Sequence, residues 1–156
     1  MTTERRPYRI LLAEDSAGDV GLVRIALRDQ RLDHILQVVS DGAEAIGIIE
    51  AADNDRNVLL DLLLLDMHLP KYDGDEILER LRSTKRYTDL PVVVMTSTRA
   101  PQDCERAQKY APTFYFRKPS SLDEYRHLGV IVFDILAGRS PSEFAPSPLE
   151  NKGGKA

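Results

Sequence analysis

The chain has 156 residues, a formal net charge of −4 and a single cysteine. This length fits one domain, and 42% hydrophobic with 29% charged residues is typical of a globular protein rather than a disordered or fibrous one. A mildly acidic domain lacks the excess of cations that neutralises nucleic-acid phosphates. One cysteine excludes an intramolecular disulfide, and no apolar run approaches the roughly 18 residues that span a bilayer. We therefore expect a cytoplasmic protein that binds neither nucleic acid nor membrane.

Five short apolar runs alternate with segments of helical periodicity. The runs lie at residues 9–13, 34–39, 62–66, 92–96 and 113–117. Runs of this length between polar residues indicate buried strands. Helices are predicted to start near residues 19, 42, 74, 102 and 121, the last with a capping box of Ser121 and Glu124 and an end near residue 137. The polar residues 51–57 are predicted to form a loop.

This alternation predicts an α/β fold with a parallel sheet covered by helices on both faces. In open sheets of this kind, ligands bind at the carboxyl ends of the strands. The residues that follow the predicted strands are therefore the candidates for a functional site.

Five side chains with useful chemistry occupy those positions: Glu14, Asp15, Asp66, Thr96 and Lys118. Carboxylates that are packed together repel one another unless a cation lies among them. A few hard oxygen ligands suit Mg²⁺, and a lysine ammonium or a threonine hydroxyl can bind a phosphoryl oxygen. An aspartate can also attack phosphorus as a nucleophile. The set favours Mg²⁺-assisted phosphoryl transfer onto a carboxylate.

Four segments resemble the receiver domains of two-component response regulators. They are residues 10–15, 62–74, 91–97 and 114–119, and they occur in the order and near the spacing of that family. The resemblance covers residues 7–137. It implies a flavodoxin-like (βα)5 fold with strand order 2-1-3-4-5, preceded by a flexible segment at 1–6 and followed by a flexible tail rich in Pro and Gly at 138–156.

The resemblance also implies roles for the acidic residues. Asp66 would be the phosphoacceptor for a sensor histidine kinase. Glu14, Asp15, Asp66 and the backbone carbonyl of His68 would bind Mg²⁺.

Three further residues match the family's phosphoryl contacts and its switch. Lys118 and Thr96 would contact the phosphoryl group, and Thr96 and Tyr115 would form the switch that responds to it. The bond between Lys118 and Pro119 would often be cis, which is affordable before proline.

Three features narrow the resemblance to the small receivers that partner bacterial phytochromes. Asp15 and Asp66 are 66 − 15 = 51 residues apart, several more than in the shortest receivers, and the extra length falls near residues 51–57. The end of the fourth strand and the C-terminal extension match the same group. The kinase partner implied is a bacteriophytochrome.

The last predicted helix is apolar nearly all round between residues 128 and 133. A helix that covers one face of a sheet needs only one apolar stripe. The excess predicts a homodimer through the fourth helix, the fifth strand and the fifth helix, with Leu128, Ile131 and Phe133 at the interface. The alternative is that the C-terminal tail folds back over this helix.

The leading functional hypothesis is a single-domain response regulator that is not itself an enzyme and that signals through changed protein–protein interactions. Three alternatives remain: a phosphorelay intermediate, a receiver that acts as an unphosphorylated scaffold, and a Mg²⁺-dependent phosphohydrolase. The phosphohydrolase is disfavoured because such enzymes usually carry a second acid two residues after the nucleophile, where this chain has His68.

Overall fold

The computed structural model describes residues 5–96 and 101–139. All pairings between neighbouring strands of its sheet are parallel, in the order β2-β1-β3-β4-β5. The strands are β1 (Tyr8–Ala13), β2 (His34–Val39), β3 (Leu62–Asp66), β4 (Val92–Thr96) and β5 (Thr113–Arg117). The flavodoxin-like fold and its strand order are thereby confirmed.

The helices follow the predicted alternation with two differences. They are α1 (Ala17–Asp29), α2 (Gly42–Asn54), α3 (Gly74–Arg82), α4 (Pro101–Gln108), α5 (Leu122–Tyr125) and α6 (His127–Leu136). The loop predicted at residues 51–57 is wrong for its first part, because α2 continues to Asn54 and buries Ala52 completely. The single last helix predicted from residue 121 is instead two helices, which meet at Arg126.

The sheet separates two apolar layers. Helices α2, α3 and α4 cover one face, and α1, α5 and α6 cover the other. Every residue of β3 is buried, because this central strand meets helices on both sides. In the described part of the chain, no helix has both the length and the apolar character that a membrane crossing requires.

Helix α6 packs against α1, and this contact corrects the expected dimer interface. Leu128 and Ile131 are 0% and 1% exposed, so the prediction that these two residues lie at a dimer interface is wrong. Phe133 is half-buried. The helices approach so closely that a Cβ on Gly129 would lie 2.2 Å from the carbonyl oxygen of Ala26. The fully buried residues of α6 therefore serve the core, and a homodimer through the half-buried Phe133 stays a prediction. Residues 140–156 of the predicted tail lie outside the described chain.

Asp61 lies just before β3, at the opposite end of the strand from Asp66. The Arg6 guanidinium donates to both of its carboxylate oxygens, over 2.8 and 2.9 Å. The backbone N–H of Arg9 donates a third hydrogen bond over 2.7 Å. Asp61 thus ties the N-terminal segment to the entrance of the central strand.

Candidate functional site

The predicted acidic residues meet at the carboxyl edge of the sheet. Glu14 follows β1 and Asp66 ends β3, and the parallel register pairs Ala13 with Leu65, which brings the two acids side by side. Carboxylate oxygens of Glu14, Asp15 and Asp66 lie within 4.8 Å of one another. Glu14 is 1% exposed and Asp66 is 8% exposed, whereas Asp15 faces solvent. This is a donor set of hard oxygens, open on one side, that fits a divalent cation.

Lys118, which follows β5, extends its ammonium group into this acidic cluster. The Nζ atom lies 2.7 Å from Glu14 Oε2, 3.1 Å from Asp19 Oδ2 and 3.4 Å from Asp66 Oδ2. The side chain of Lys118 is 8% exposed. One buried ammonium therefore binds three carboxylates at once.

Asp19 is the member of this cluster that the sequence analysis missed. It lies in the first turn of α1, capped by Ser16, whose hydroxyl accepts from the Asp19 backbone N–H. The start of α1 follows directly from the carboxyl end of β1, so its first turn faces the same edge as the strand ends. A search of helix first turns as well as strand ends would have found this carboxylate.

The pKa values of two of these groups are raised, which disfavours the charged form of Glu14 and favours the charged form of Lys118. Burial raises the pKa of the Glu14 carboxyl, against hydrogen bonds from Lys118 and from the Ser16 backbone N–H. Burial alone would lower the pKa of Lys118, but its hydrogen bond to Glu14 and the charges of Asp66 and Glu14 raise it well above the ordinary value. The lysine therefore remains charged, whereas keeping the buried glutamate ionised costs free energy.

The loop that follows β3, residues 67–73, is closed by two tight backbone contacts. The N–H of Gly74 donates to the Met67 carbonyl over 2.9 Å, and a Cβ on Gly74 would lie 2.7 Å from Met67 Cα. On the other side, Gly42 donates to the Pro70 carbonyl and leaves no room for a Cβ beside Tyr72. Glycine is required at both positions for this close approach, which fixes the backbone beside Asp66.

His68 contacts Asp66 through its backbone and α4 through its ring. Its N–H donates to Asp66 Oδ1 over 3.0 Å. Its Nε2 lies 2.7 Å from Asp103 Oδ2, and Asp103 is 3% exposed. The partner is 35 residues away in sequence, so no local pattern could predict this contact. It joins the loop that follows β3 to the start of α4.

Thr96 and Tyr115 lie on the neighbouring strands β4 and β5. Thr96 ends β4, is 5% exposed, and accepts a backbone hydrogen bond from Lys118 over 2.8 Å. The half-buried Tyr115 donates its hydroxyl to the carbonyl of Cys104 in α4 over 3.2 Å, and burial raises its pKa. Tyr115 thus contacts α4, and Thr96 lies at the end of the strand next to that of Asp66. The cis bond of the described residues is Ala111–Pro112 rather than Lys118–Pro119, which corrects that expectation.

The fold and the acidic edge together define a class of signalling domain. The model of the response regulator receiver domain family matches residues 10–128, and the chain belongs to this family. Its site residues come from the ends of separate strands, which is the arrangement predicted for a ligand site on a parallel sheet.

Among individual proteins, the chain is similar to phytochrome response regulators of cyanobacteria. It is 31% identical over 126 residues to the response regulator Rcp1 of Synechocystis sp., which covers 80% of this chain and 86% of the relative. The crystal structure of the phosphorylated cyanobacterial phytochrome response regulator RcpA superposes with a TM-score of 0.74 at 29% identity, covering 87% of this chain and 99% of the other. The Mn²⁺-bound form of Rcp1 also gives 0.74, at 30% identity, over 86% and 98% of the two chains.

Proposed function

We propose that this protein is a phosphorylation-controlled response regulator that accepts a phosphoryl group on Asp66 in a Mg²⁺-dependent reaction. The observation that carries this proposal is the edge cluster, in which Glu14, Asp15 and Asp66 converge and Lys118 reaches into them. Such a cluster has the carboxylate nucleophile, the cation ligands and the phosphoryl-binding ammonium in one place. The reaction takes place in the cytoplasm.

The chemistry of transfer needs one exchange of bonds. A carboxylate oxygen of Asp66 attacks the phosphorus atom of a phosphohistidine, forming a phosphorus–oxygen bond as the phosphorus–nitrogen bond breaks. The imidazole departs with the bonding electron pair. Glu14, Asp15, Asp66 and the carbonyl of His68 would hold Mg²⁺, which neutralises charge on the phosphoryl oxygens when bound.

Lys118 and Thr96 would then bind the new phosphoryl group. Lys118 is charged and already inside the cluster, so a short movement of its ammonium would reach a group on Asp66. Thr96 has its hydroxyl at the end of the adjoining strand. A shift of Thr96 toward the phosphoryl group would leave space for Tyr115, whose present hydrogen bond to Cys104 ties it to α4. These movements of Thr96 and Tyr115 would change the surface that α4 and β5 present to partner proteins.

The donor would be a sensor histidine kinase, and the similarity to Rcp1 and RcpA supports a kinase of the phytochrome type. Such a partnership would make light the signal. Co-purification with, and phosphotransfer from, a phytochrome kinase encoded near this chain would test the assignment, with a kinase of a different sensor class as the control.

Phosphorylation itself is tested by incubation with acetyl phosphate and Mg²⁺, followed by intact-mass measurement. We expect one added phosphoryl group on the wild type and none on Asp66→Asn. Asp61→Asn is the matched control, since it changes the acid at the other end of the same strand and should be modified like the wild type. Equal modification of Asp66→Asn, or undiminished reaction in excess EDTA, would contradict the proposal.

A further inference from the structure

Asp19 binds the Lys118 ammonium without belonging to the group that could hold the cation. Its Oδ2 lies 3.1 Å from Lys118 Nζ, whereas the three acids whose oxygens converge for a metal are Glu14, Asp15 and Asp66. The Asp19 side chain is 27% exposed. It is therefore an additional carboxylate that competes with any other site for the ammonium of Lys118.

Tyr125 has a buried hydroxyl close to the same charges. The residue is 0% exposed, and its ring packs edge-on against Phe116 with 5.4 Å between ring centroids. Within the described part of the chain, its hydroxyl oxygen has no hydrogen-bond partner. A buried hydroxyl without a partner is unfavourable, so an acceptor that becomes available nearby would gain from it.

Asp19 is the candidate acceptor, because it lies in the first turn of the helix against which α5 packs. Burial raises the pKa of the phenol, and the strongest charge acting on it in the same direction is that of Asp19, ahead of Glu14 and Asp66. Tyr125 lies on α5, which packs against α1, the helix that carries Asp19. In the present arrangement Lys118 binds the Asp19 carboxylate, and the hydroxyl remains unused.

We propose that Asp19 and Tyr125 form a holding site for Lys118: Asp19 binds the ammonium in the unphosphorylated protein, and the Tyr125 hydroxyl donates to Asp19 when Lys118 moves to the phosphoryl group. This inference rests on the proposed phosphorylation of Asp66. Both are positioning residues, because they act on Lys118 and do not touch the phosphoryl group. Asp19 opposes the movement of Lys118 to the phosphoryl group, because it binds the ammonium in the unphosphorylated protein. Tyr125 favours that movement, because its hydroxyl replaces the hydrogen bond that the Asp19 carboxylate loses.

The two side chains should therefore affect phosphoryl binding in opposite directions. Removing the Asp19 charge removes the competition for Lys118, so a phosphoryl mimic should bind more tightly. Removing only the Tyr125 hydroxyl leaves Asp19 without a donor after Lys118 has moved, so the mimic should bind more weakly. Each effect should be about three- to tenfold, since a hydrogen bond to a charged group is strong but solvent reaches part of Asp19.

The test is isothermal titration calorimetry of beryllofluoride, a tetrahedral mimic of the phosphoryl group, at saturating Mg²⁺. The variants are Asp19→Asn, Tyr125→Phe and the double variant. Asp29→Asn is the matched control, since Asp29 lies on the same helix but pairs with Arg126 at the far end. We expect tighter binding by Asp19→Asn, weaker binding by Tyr125→Phe, wild-type binding by the control, and no effect of Tyr125→Phe in the Asp19→Asn background.

The outcomes separate this inference from the proposed function. Wild-type affinity in both single variants, or an equal loss from Tyr125→Phe in both backgrounds, overturns the holding site alone, because the latter would show a purely structural role. Weaker binding by Asp19→Asn overturns it as well. Absence of binding to the wild-type protein overturns the proposed function and the holding site with it.

Discussion

The two ends of β3 each carry an aspartate, but only one of them is matched in charge. At the entrance, Asp61 accepts two hydrogen bonds from Arg6 and one from the backbone of Arg9. At the exit, Asp66 lies in a cluster where the Lys118 ammonium is shared with further carboxylates. The charge of Asp61 is neutralised by Arg6, and this ion pair connects the N-terminal segment to β3. The cluster around Asp66 keeps an excess of negative charge.

This difference shows why an acidic residue at a strand end is not in itself a sign of function. A carboxylate whose charge is neutralised by a fixed partner contributes to the folded structure and has little to offer a ligand. Carboxylates that outnumber their cations repel one another, and an arriving cation relieves that repulsion. The degree of charge matching, rather than the residue type, separates the two ends of the strand.

The largest effect is expected from an unmatched carboxylate placed where neither a cation nor water can reach it. Ile131→Asp introduces one into the fully buried contact of α6 with the core, and should lower the free energy of unfolding by at least about 4 kcal/mol. Phe133→Asp, at a half-buried position of the same helix, should cost far less. Chemical denaturation measures both.

Light scattering on the same variants also bears on the predicted homodimer. If Phe133 lies at an interface, Phe133→Asp should lower the apparent mass across micromolar concentrations while the protein stays folded. A monomeric wild type at every concentration would argue against the interface.

The second largest change in stability is expected when a cation binds the acidic cluster around Asp66. Mg²⁺ at one hundred times its Kd should raise the free energy of unfolding by about 2.7 kcal/mol, provided that the unfolded chain does not bind it. Thermal unfolding with and without EDTA would show this as a shift in Tm. Asp15→Ala should abolish most of the shift, while Asp61→Asn should retain it. A shift of equal size in Asp15→Ala would mean that the cation binds elsewhere.

The third prediction concerns Asp61, whose charge is neutralised by Arg6 at the start of β3. Asp61→Asn should lower the free energy of unfolding at pH 7 by about 1–2 kcal/mol, because it loses charge-assisted hydrogen bonds that are partly exposed. Burial alone would raise the pKa of Asp61, but the hydrogen bonds from Arg6 and Arg9 hold it below the ordinary value. An acid whose pKa is lower in the folded state stabilises the protein above its unfolded pKa, and this contribution is lost as the pH falls through the folded pKa.

The difference between wild type and Asp61→Asn should therefore shrink as the pH drops below about 4. Urea denaturation at several pH values would measure it. A difference that stays constant down to pH 2 would show that the charge of Asp61 is not the source of the stability.

The smallest effect is expected at the unmatched end. In EDTA, Asp15→Asn should leave the free energy of unfolding within about 0.5 kcal/mol of wild type, and any change should be a gain, because a repelling charge is removed. The comparison with Asp61→Asn at the same pH is the sharpest one, since the two substitutions are chemically identical. A larger loss from Asp15→Asn than from Asp61→Asn would reverse the assignment of the two ends.

The sequence was sufficient to predict the strand ends, because a parallel sheet leaves few choices for where they meet. Once five apolar runs alternated with helices, Glu14, Asp66, Thr96 and Lys118 had to lie along one edge. Their chemistry could then be interpreted without knowledge of any contact. The choice of Tyr115, and the strand order that puts it beside β4, came instead from the resemblance to receiver domains, and the order is confirmed.

The remaining features depend on distances that no local pattern encodes. The contact of Asp19 with Lys118 joins residues 99 positions apart, and that of His68 with Asp103 joins the loop that follows β3 to a separate helix. The apolar run of α6 correctly predicts a buried helix, but it does not identify the surface that covers this helix. That surface is α1, and the close approach of the two helices depends on Gly129 opposite Ala26. The rotation of a helix about its axis is decided by such packing rather than by its composition.

The two glycine contacts that close the loop after β3 have a consequence for the thermodynamics of cation binding. With Gly74 held against Met67 and Gly42 against Tyr72, the backbone around His68 is held on both sides. Under the proposed function, a cation that binds the His68 carbonyl would order few additional dihedral angles, so little conformational entropy would be lost. The affinity of this edge is then governed by the dehydration of the ion and by the repulsion that it relieves, and ion size and ionic strength should alter it more than loop mobility does.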